Sequence, residues 1–165
     1  AEALVGQTES SQEKIDGVIS DVAAAVDTLW ERAHPREQGL GVVGFSFGAY
    51  YALQLASADP DRVRAVVLFY GSGGADFERA RATFLGHYAE NDPYEPAEAV
   101  EWLESALVSA GRPATFHRYE GLGHWFFEHD RPDAYNEAAA QLAWERTLDF
   151  LKRALALPPA DPSIA

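Results

Sequence analysis

Four short apolar runs, separated by stretches of helical periodicity, constrain the fold of this chain more than any other feature of its sequence. Each run is rich in β-branched and aromatic residues and is bounded by Gly, Pro or polar residues, which is typical of a buried strand. Strands that alternate with helices form a parallel sheet with right-handed crossovers. The sequence therefore predicts an α/β fold: a mostly parallel sheet of about four strands with helices on both faces. The predicted strands are residues 40–45, 65–70, 82–88 and 114–119.

The intervening stretches predict four helices. The first is expected over 12–33, behind a capping box formed by Ser10 and Glu13. The second follows Ser46, the third opens at Pro96, and the last runs over about 135–155. The residues expected to face inward from the last three helices are Ala49, Ala52, Leu53 and Ala56, then Val100, Leu103 and Leu107, and finally Leu142, Leu148, Leu151 and Leu155.

A chain of 165 residues is the length of one domain. Residues 1–11 show no clear period and are expected to be a loose lead-in. Residues 12–156 carry the predicted domain. Residues 157–165 are rich in proline and are expected to be a disordered tail.

Composition excludes several classes of function. The chain has 26 acidic and 13 basic residues and a net charge of -13, so nucleic acid and anionic membranes are expected to be poor partners. Cysteine is absent, so no disulfide, thiolate zinc site or cysteine nucleophile is possible, which fits a cytoplasmic protein. No spacing of histidines or carboxylates suggests a metal, and no cofactor is expected.

The segment Gly44-Phe45-Ser46-Phe47-Gly48 matches the pattern G-x-S-x-G at the junction of a buried strand and a helix. This is the context of a nucleophile elbow, in which a strained turn lifts the serine hydroxyl into a cleft. Glycine is expected two residues to either side of Ser46 because the turn leaves no room for side chains. The backbone N–H of Phe47, at the helix N-terminus, is then expected to face a developing oxyanion.

A serine nucleophile needs a base, and the base needs an acid that orients it. Asp92 follows the third predicted strand and His124 follows the fourth, in the order Ser, acid, His that such sheets use. Glu90 and Glu95 flank Asp92, and either could be the acid. Of the other histidines, His87 and His117 lie within predicted strands and are expected to be structural, while His129 is expected at the surface. The residues expected to line an apolar acyl pocket are Phe45, Tyr70, Trp125 and Phe126.

With these pieces in place, the chain resembles the dienelactone hydrolase family of α/β-hydrolases over roughly residues 12–155. The segments that carry the resemblance are GVVGFSFGA, AVVLFYG, FLGHYAENDPYEP, FHRYEGLGHWFF and AAAQLAWERTLDFLKR. The resemblance implies the C-terminal part of an α/β-hydrolase fold and a triad of Ser46, Asp92 and His124. It also implies hydrolysis of esters or lactones through an acyl-enzyme.

Three departures from the family pattern shape the expectations. Ser46 stands where the family usually has cysteine, which points to serine esterase chemistry and a greater need for His124 as base. Glu128 stands where the enzyme that names the family has an arginine for the substrate carboxylate, which argues for a small neutral ester. The chain also lacks about four initial strands of the family, with the loop that supplies a second oxyanion donor.

The missing strands would leave the strand Leu40–Phe45 at a sheet edge, although its sequence is that of a central strand. We therefore expect a homodimer that joins these edges, with the helix at 12–33 near the contact. The expected function is a serine hydrolase acting on a small carboxylic ester or lactone. The alternative is a catalytically weak or inactive module that works through self-association or partner binding.

Overall fold

The structure is a computed structural model that describes residues 2–33 and 38–156; within the first helix, side chains are described for residues 13–32. The chain divides into two units, residues 1–36 and 37–165. The predicted tail at 157–165 lies outside the described residues.

The first unit consists of one long helix, α1 (Glu2–Ala33). The prediction of a loose lead-in over 1–11 is wrong, because the helix begins ten residues before the predicted start at 12. Ser10 and Glu13 therefore lie within α1 and do not cap it. The local pattern was misleading because Ser and Glu are compatible with a helix interior as well as with a helix start.

The second unit is built on a four-stranded parallel sheet, as predicted. Its strands are β1 (Leu40–Phe45), β2 (Val63–Phe69), β3 (Thr83–Ala89) and β4 (Ala114–Tyr119). The strands pair in sequence order, β1-β2-β3-β4, and every pair is parallel. All four strands therefore end at the same edge of the sheet.

Helices cover both faces of this sheet. They are α2 (Phe47–Ala58), α3 (Ala97–Ser109) and α4 (Glu137–Ala154). A Cβ added to Gly44 would meet Ala49 of α2, whereas a Cβ added to Gly41 would meet Leu151 of α4. Residues three apart in a strand point to opposite faces, so α2 and α4 pack on opposite sides of β1.

The alternation of strands and helices is interrupted between β2 and β3. No helix joins β2 to β3; residues 70–82 cross over as turns and extended chain. Thirteen residues are enough for a parallel crossover without a helix. The polypeptide that follows β2 is thus a loop at the carboxyl edge.

The predicted inward faces are correct for α2 and α3 but only partly for α4. Leu142 and Leu148 are exposed, and the buried positions of α4 are Ala140, Ala143 and Thr147. Small side chains at these positions let this part of the helix lie close to the sheet. Leu151 and Leu155 do pack inward, against Gly41.

The two central strands, β2 and β3, are buried almost throughout, whereas β1 is not. Gly41 and Val43 of β1 are exposed, so the expectation that this strand is buried on both faces is wrong. Within residues 38–156, β1 is one edge of the sheet, and its outer side is uncovered. None of the helices in the described ranges combines the length and apolarity that crossing a membrane requires.

The core contains a fully buried histidine. His87 on β3 has both ring nitrogens hydrogen-bonded, Nδ1 to the Tyr119 hydroxyl at 2.9 Å and Nε2 to the Thr147 hydroxyl at 3.1 Å. Burial, with smaller contributions from His117 and Arg146, lowers the pKa of His87 to about 3. The folded protein therefore holds a neutral imidazole that the unfolded chain would protonate.

We predict that His87 makes the fold sensitive to acid. An unfolded histidine titrates near ~6.5, so stability should fall as the pH drops from there toward 3, by up to ~1.4 kcal/mol per pH unit from this group. Urea unfolding between pH 7 and 4.5 measures that slope for the wild type and for His87→Phe. The variant should show a shallower slope, whatever its stability at pH 7.

The matched control is His129→Asn, which removes an exposed imidazole. Equal slopes for the wild type and His87→Phe would contradict the prediction.

Candidate active site

The loops at the carboxyl edge of the sheet carry the predicted site residues. Ser46 follows β1, Asp92 follows β3 and His124 follows β4. In an open α/β sheet this edge is where ligands bind. Each residue lies in a loop because a predicted strand ends just before it. The loops lie close together because the strands are parallel and end at the same edge.

Ser46 lies in a strained turn between β1 and α2. Its backbone has φ 49° and ψ -119°, a conformation that a residue with a Cβ rarely adopts. Its N–H donates to the carbonyl of Phe69 at 2.9 Å, and its carbonyl accepts from the N–H of Ala49 at 2.9 Å. These bonds hold the turn against β2 on one side and α2 on the other.

The glycines around the turn have different roles from those predicted. A Cβ on Gly44 would lie 2.6 Å from the carbonyl oxygen of Gly48, so this position requires glycine. A Cβ on Gly48 would meet nothing within 4 Å, so the prediction is wrong for the second glycine of the motif. The close approach comes instead from Gly71, where a Cβ would lie 2.2 Å from the carbonyl oxygen of Ser46. Gly71 belongs to the next strand's loop, and no local motif could have revealed it.

The three polar side chains form one hydrogen-bonded series. Ser46 Oγ lies 2.9 Å from His124 Nε2, and His124 Nδ1 lies 2.6 Å from Asp92 Oδ2. An ionised carboxylate can only accept, so Nδ1 carries the proton and Nε2 accepts from the Ser46 hydroxyl. The side chains of His124 and Asp92 are almost completely buried, which shields this short contact from solvent.

In the loop after β3, Asp92 contacts His124, whereas its two acidic neighbours bind other groups. The second oxygen of Asp92, Oδ1, accepts the N–H groups of Tyr94 at 2.8 Å and Glu95 at 3.0 Å. Glu90 instead accepts the N–H of Gly121 at 2.8 Å. Glu95 accepts from both the N–H of Ser72 at 3.0 Å and its hydroxyl at 2.5 Å. Of the three acids that the sequence left open, Asp92 is therefore the one that contacts His124.

The remaining histidines within the described residues lie where they were expected. His87 is buried in the core, and His117 on β4 stacks on it with ring centroids 5.8 Å apart. Burial lowers the pKa of His117, and Arg146 adds to the effect. His129 is exposed, and His34 lies outside the described residues.

A cleft of about 250 Å³ opens beside Ser46. Of the four residues predicted to line an acyl pocket, this cleft includes Tyr70. Phe126 is fully buried beneath Tyr70, and Phe45 faces another cavity, so the prediction is wrong for both. Trp125 packs edge-on against His124 with ring centroids 4.8 Å apart, and it is not part of the cleft wall. The lining residues are Ser46, Phe47, Tyr50, Tyr70, Ser72, Tyr94, Glu95 and His124.

A larger cavity, of about 550 Å³, lies elsewhere, along β1 and α4. Its walls include Val43, Phe45, Phe127 and Trp144, and they contain no member of the hydrogen-bonded series. The chemistry of a site depends on its reactive groups, so the smaller cleft is the candidate active site.

His124 is supported by Tyr70, which also lines the cleft, and through it by Glu128. The ring of Tyr70 packs on the imidazole with centroids 4.7 Å apart, and its hydroxyl donates to Glu128 at 3.1 Å. Burial raises the pKa of Tyr70, and the Glu128 charge and hydrogen bond raise it further. Glu128 is in turn paired with Arg131, which lies 4.0 Å above the Trp125 ring. The wall behind the imidazole is thus held by aromatic packing and an ion pair.

The start of α2 is the remaining feature of the cleft. Phe47 is the first residue of this helix, so its N–H has no carbonyl one turn earlier within the helix to bond.

No cluster of three or more His, Asp or Glu side chains suited to a metal ion occurs in the part of the chain that the structure describes.

Comparisons with known proteins point to one family. The model of the dienelactone hydrolase family matches residues 2–155. A Bradyrhizobium protein named "Probable 2-oxo-3-(5-oxofuran-2-ylidene)propanoate lactonase" is 34% identical over 148 residues, which are 82% of this chain and 58% of that protein. The carboxymethylenebutenolidase of Rhodococcus opacus is 33% identical over 137 residues, 76% of this chain and 54% of that enzyme.

A solved structure with the same fold is MGS-M1, an α/β-hydrolase enzyme from a deep-sea metagenome library. It matches with a TM-score of 0.69 at 19% identity over 83% of this chain and 64% of that one. The chain spans between about half and two thirds of the length of these relatives. The match to the family model over 2–155, with the fold and the identities above, shows that this chain belongs to the dienelactone hydrolase family.

Proposed function

We propose that this chain is a serine hydrolase that cleaves a small carboxylic ester or lactone through an acyl-enzyme on Ser46. The observation that carries the proposal is the continuous series Ser46–His124–Asp92, with contacts of 2.9 and 2.6 Å at the mouth of a cleft. Membership of the dienelactone hydrolase family supports hydrolysis of such bonds.

In the first half-reaction, Ser46 Oγ attacks the acyl carbon and its proton passes to His124 Nε2. Asp92 holds the imidazole in the tautomer that can accept this proton and stabilises the imidazolium that forms. The C–O bond to the alcohol then breaks, and the leaving oxygen takes the proton from Nε2. For a lactone, the alcohol stays attached to the acyl group by its own chain.

In the second half-reaction, water attacks the acyl carbon and gives its proton to His124 Nε2. The bond to Ser46 breaks, and Oγ recovers the proton as the acid leaves. In both steps the negative charge on the carbonyl oxygen needs donors. The N–H of Phe47 is the donor proposed here, supported by its place at the N-terminus of α2.

The alternative, a catalytically weak or inactive module, has less support. A module without chemistry has no use for a strained serine, a buried imidazole and a carboxylate held by two backbone N–H groups. Strained backbone of this kind clusters at functional sites, where the surrounding structure holds it in place. The cytoplasmic location expected from the absence of cysteine stays a prediction.

Self-association remains part of the proposal. The edge strand β1 exposes Gly41 and Val43, and the larger cavity beside it is lined by Phe45, Phe127 and Trp144. Unpaired strand edges and apolar surface both favour contact with another copy. We propose a two-fold dimer through this face, since one self-complementary patch would satisfy both needs.

The first prediction concerns the nucleophile. Ser46→Ala should abolish hydrolysis of p-nitrophenyl acetate and labelling by a fluorophosphonate, while circular dichroism and the unfolding midpoint stay close to those of the wild type. The hydroxyl contacts His124 and is not needed for packing. Ser105→Ala, on the exposed side of α3, is the matched control and should keep both activity and label. Activity in Ser46→Ala equal to the wild type would reject the assignment.

The second prediction separates the two glycines. Gly71→Ala should lower kcat/KM by about 100-fold, because its Cβ would displace the Ser46 carbonyl and misplace the hydroxyl. Gly48→Ala should keep activity and stabilise α2 by up to ~1 kcal/mol, because alanine favours a helix and meets no neighbour here. Ester hydrolysis and thermal unfolding of both variants test this pair. The opposite order of activities would mean that the motif glycine, and not Gly71, sets the turn.

The third prediction concerns association. The chain should sediment as a dimer at micromolar concentration, and the dimer should tighten as salt screens the net charge of -13. Val43→Lys, placed on the exposed edge of β1, should weaken it, whereas Val108→Lys on the exposed side of α3 should not. A well-folded monomer at both low and high salt would refute the dimer.

A further inference from the structure

The wall of the cleft beside Ser46 contains a carboxylate that the proposed mechanism does not use. Glu95 is half-buried and lines this cleft together with Ser46 and His124. Its Oε2 accepts the N–H of Ser72 and its Oε1 the Ser72 hydroxyl. Both contacts are donated to the carboxylate, so they stabilise its charged form and fix its position.

On the side of the cleft, the charge of Glu95 has no ion-pair partner within the described part of the chain; on its other side, Glu95 borders a second cavity that Arg118 also lines. Among the residues that the structure describes, none of the ion pairs involves Glu95, and no lysine or arginine lines the cleft. Burial raises the pKa of Glu95, the two Ser72 hydrogen bonds lower it, the charge of Asp92 raises it and His124 lowers it. A partly desolvated carboxylate without a counterion favours a ligand that brings a positive charge.

The other walls of the cleft are aromatic. The rings of Phe47 and Tyr94 are about two-thirds exposed, at 65% and 64%, so they are free to contact a ligand. Tyr50 stacks beside Phe47 with centroids 6.1 Å apart. Tyr70 also borders the cleft, but its side chain is fully buried. Aromatic faces attract ammonium groups, and proteins recognise quaternary ammonium ligands with cages of aromatic rings.

We propose that this cleft selects esters whose alcohol part carries a positive charge, such as an alkylammonium, with Glu95 as the specificity-determining residue. This inference rests on the function proposed above and names its substrate class, which differs from the small neutral ester expected from Glu128. An ammonium beside Glu95 would pair with the carboxylate while the ester carbonyl lies near Ser46. The acidic surface of the chain, at a net charge of -13, would favour the approach of the same cations.

A purely structural role for Glu95 is the competing explanation, because the side chain also tethers the loop after β2 through Ser72. A tether would affect all esters alike, whatever their charge. The experiment must therefore compare substrates that differ in charge alone. Acetylcholine and 3,3-dimethylbutyl acetate are such a pair, since a quaternary nitrogen in one replaces a quaternary carbon in the other.

The test measures kcat/KM for both esters on the full chain and on Glu95→Gln. We expect the wild type to prefer acetylcholine about 3- to 30-fold, and Glu95→Gln to lose most of that preference. The ratio of the kcat/KM values for the two esters is unaffected by a loss of activity that is the same for both. Glu98→Gln, which removes one exposed carboxylate of α3 outside the cleft, is the matched control and should keep the ratio of the wild type.

A binding measurement separates this inference from the proposed function. Choline and its neutral analogue 3,3-dimethylbutanol are titrated into Ser46→Ala, with and without Glu95→Gln, and tyrosine fluorescence or proton shifts are followed. Choline binding that depends on Glu95 would support the inference even if neither ester is hydrolysed, in which case the proposed function fails alone. Equal use of both esters, or equal binding of both alcohols, would overturn the inference.

Discussion

The backbone of Ser46 is the constraint on which the rest of the site depends. Its φ of 49° and ψ of -119° cost about 1–3 kcal/mol, and such a conformation persists when neighbouring structure over-determines it. Here the neighbours are the carbonyl of Phe69 on β2, the N–H of Ala49 in α2 and the bare backbone of Gly71. The pairing of β1 with β2 therefore does more than bury apolar strands, since it also sets where the hydroxyl of Ser46 lies.

The loops after β3 and β4 are tied to each other in a similar way. Glu90 and Asn91 donate their N–H groups to the carbonyls of Tyr119 and Leu122, at 3.0 and 2.9 Å. The side chain of Glu90 then accepts the N–H of Gly121. These bonds join the loop that carries Asp92 to the one that carries His124. The short contact between carboxylate and imidazole is thus maintained by backbone that neither residue contributes.

Because the loops are held in this way, the three acids Glu90, Asp92 and Glu95 make different contacts. Glu90 joins the two loops, Asp92 contacts the imidazole, and Glu95 lies in the cleft wall, where it accepts two hydrogen bonds from Ser72. Their side chains are chemically almost equivalent. The difference arises from which backbone N–H groups each carboxylate reaches. The role of an acid in this molecule is therefore a property of its loop geometry.

Much of the fold was predictable because strong local patterns carry it. The apolar runs at Leu40–Phe45 and Ala114–Tyr119 have the bounds predicted for them, since residues flanking each run cannot continue a buried strand. Ser46, Asp92 and His124 could be placed at one edge because all parallel strands end there. The apolar faces of α2 and α3 followed from helical periodicity alone.

Other features depend on contacts between segments that are distant in the chain. Periodicity could not show that α4 approaches the sheet through Ala140, Ala143 and Thr147, because leucine is as compatible with a local helical pattern as alanine. It could not show that Phe126 is buried beneath Tyr70 instead of lining the cleft. The choice among Glu90, Asp92 and Glu95 was equally open, since spacing alone treats them as equal.

Local sequence was enough to predict the parallel sheet, the turn at Ser46 after β1, and the chain order of Ser46, Asp92 and His124. These features follow from short-range sterics and from the period of apolar residues, and both depend on residues that are close together in the sequence. Contacts between distant segments were needed to show which glycine the turn requires, which acid contacts His124 and which rings lie around Ser46. Those outcomes depend on distances of a few ångströms between separate loops, and such distances exist only once the sheet has formed.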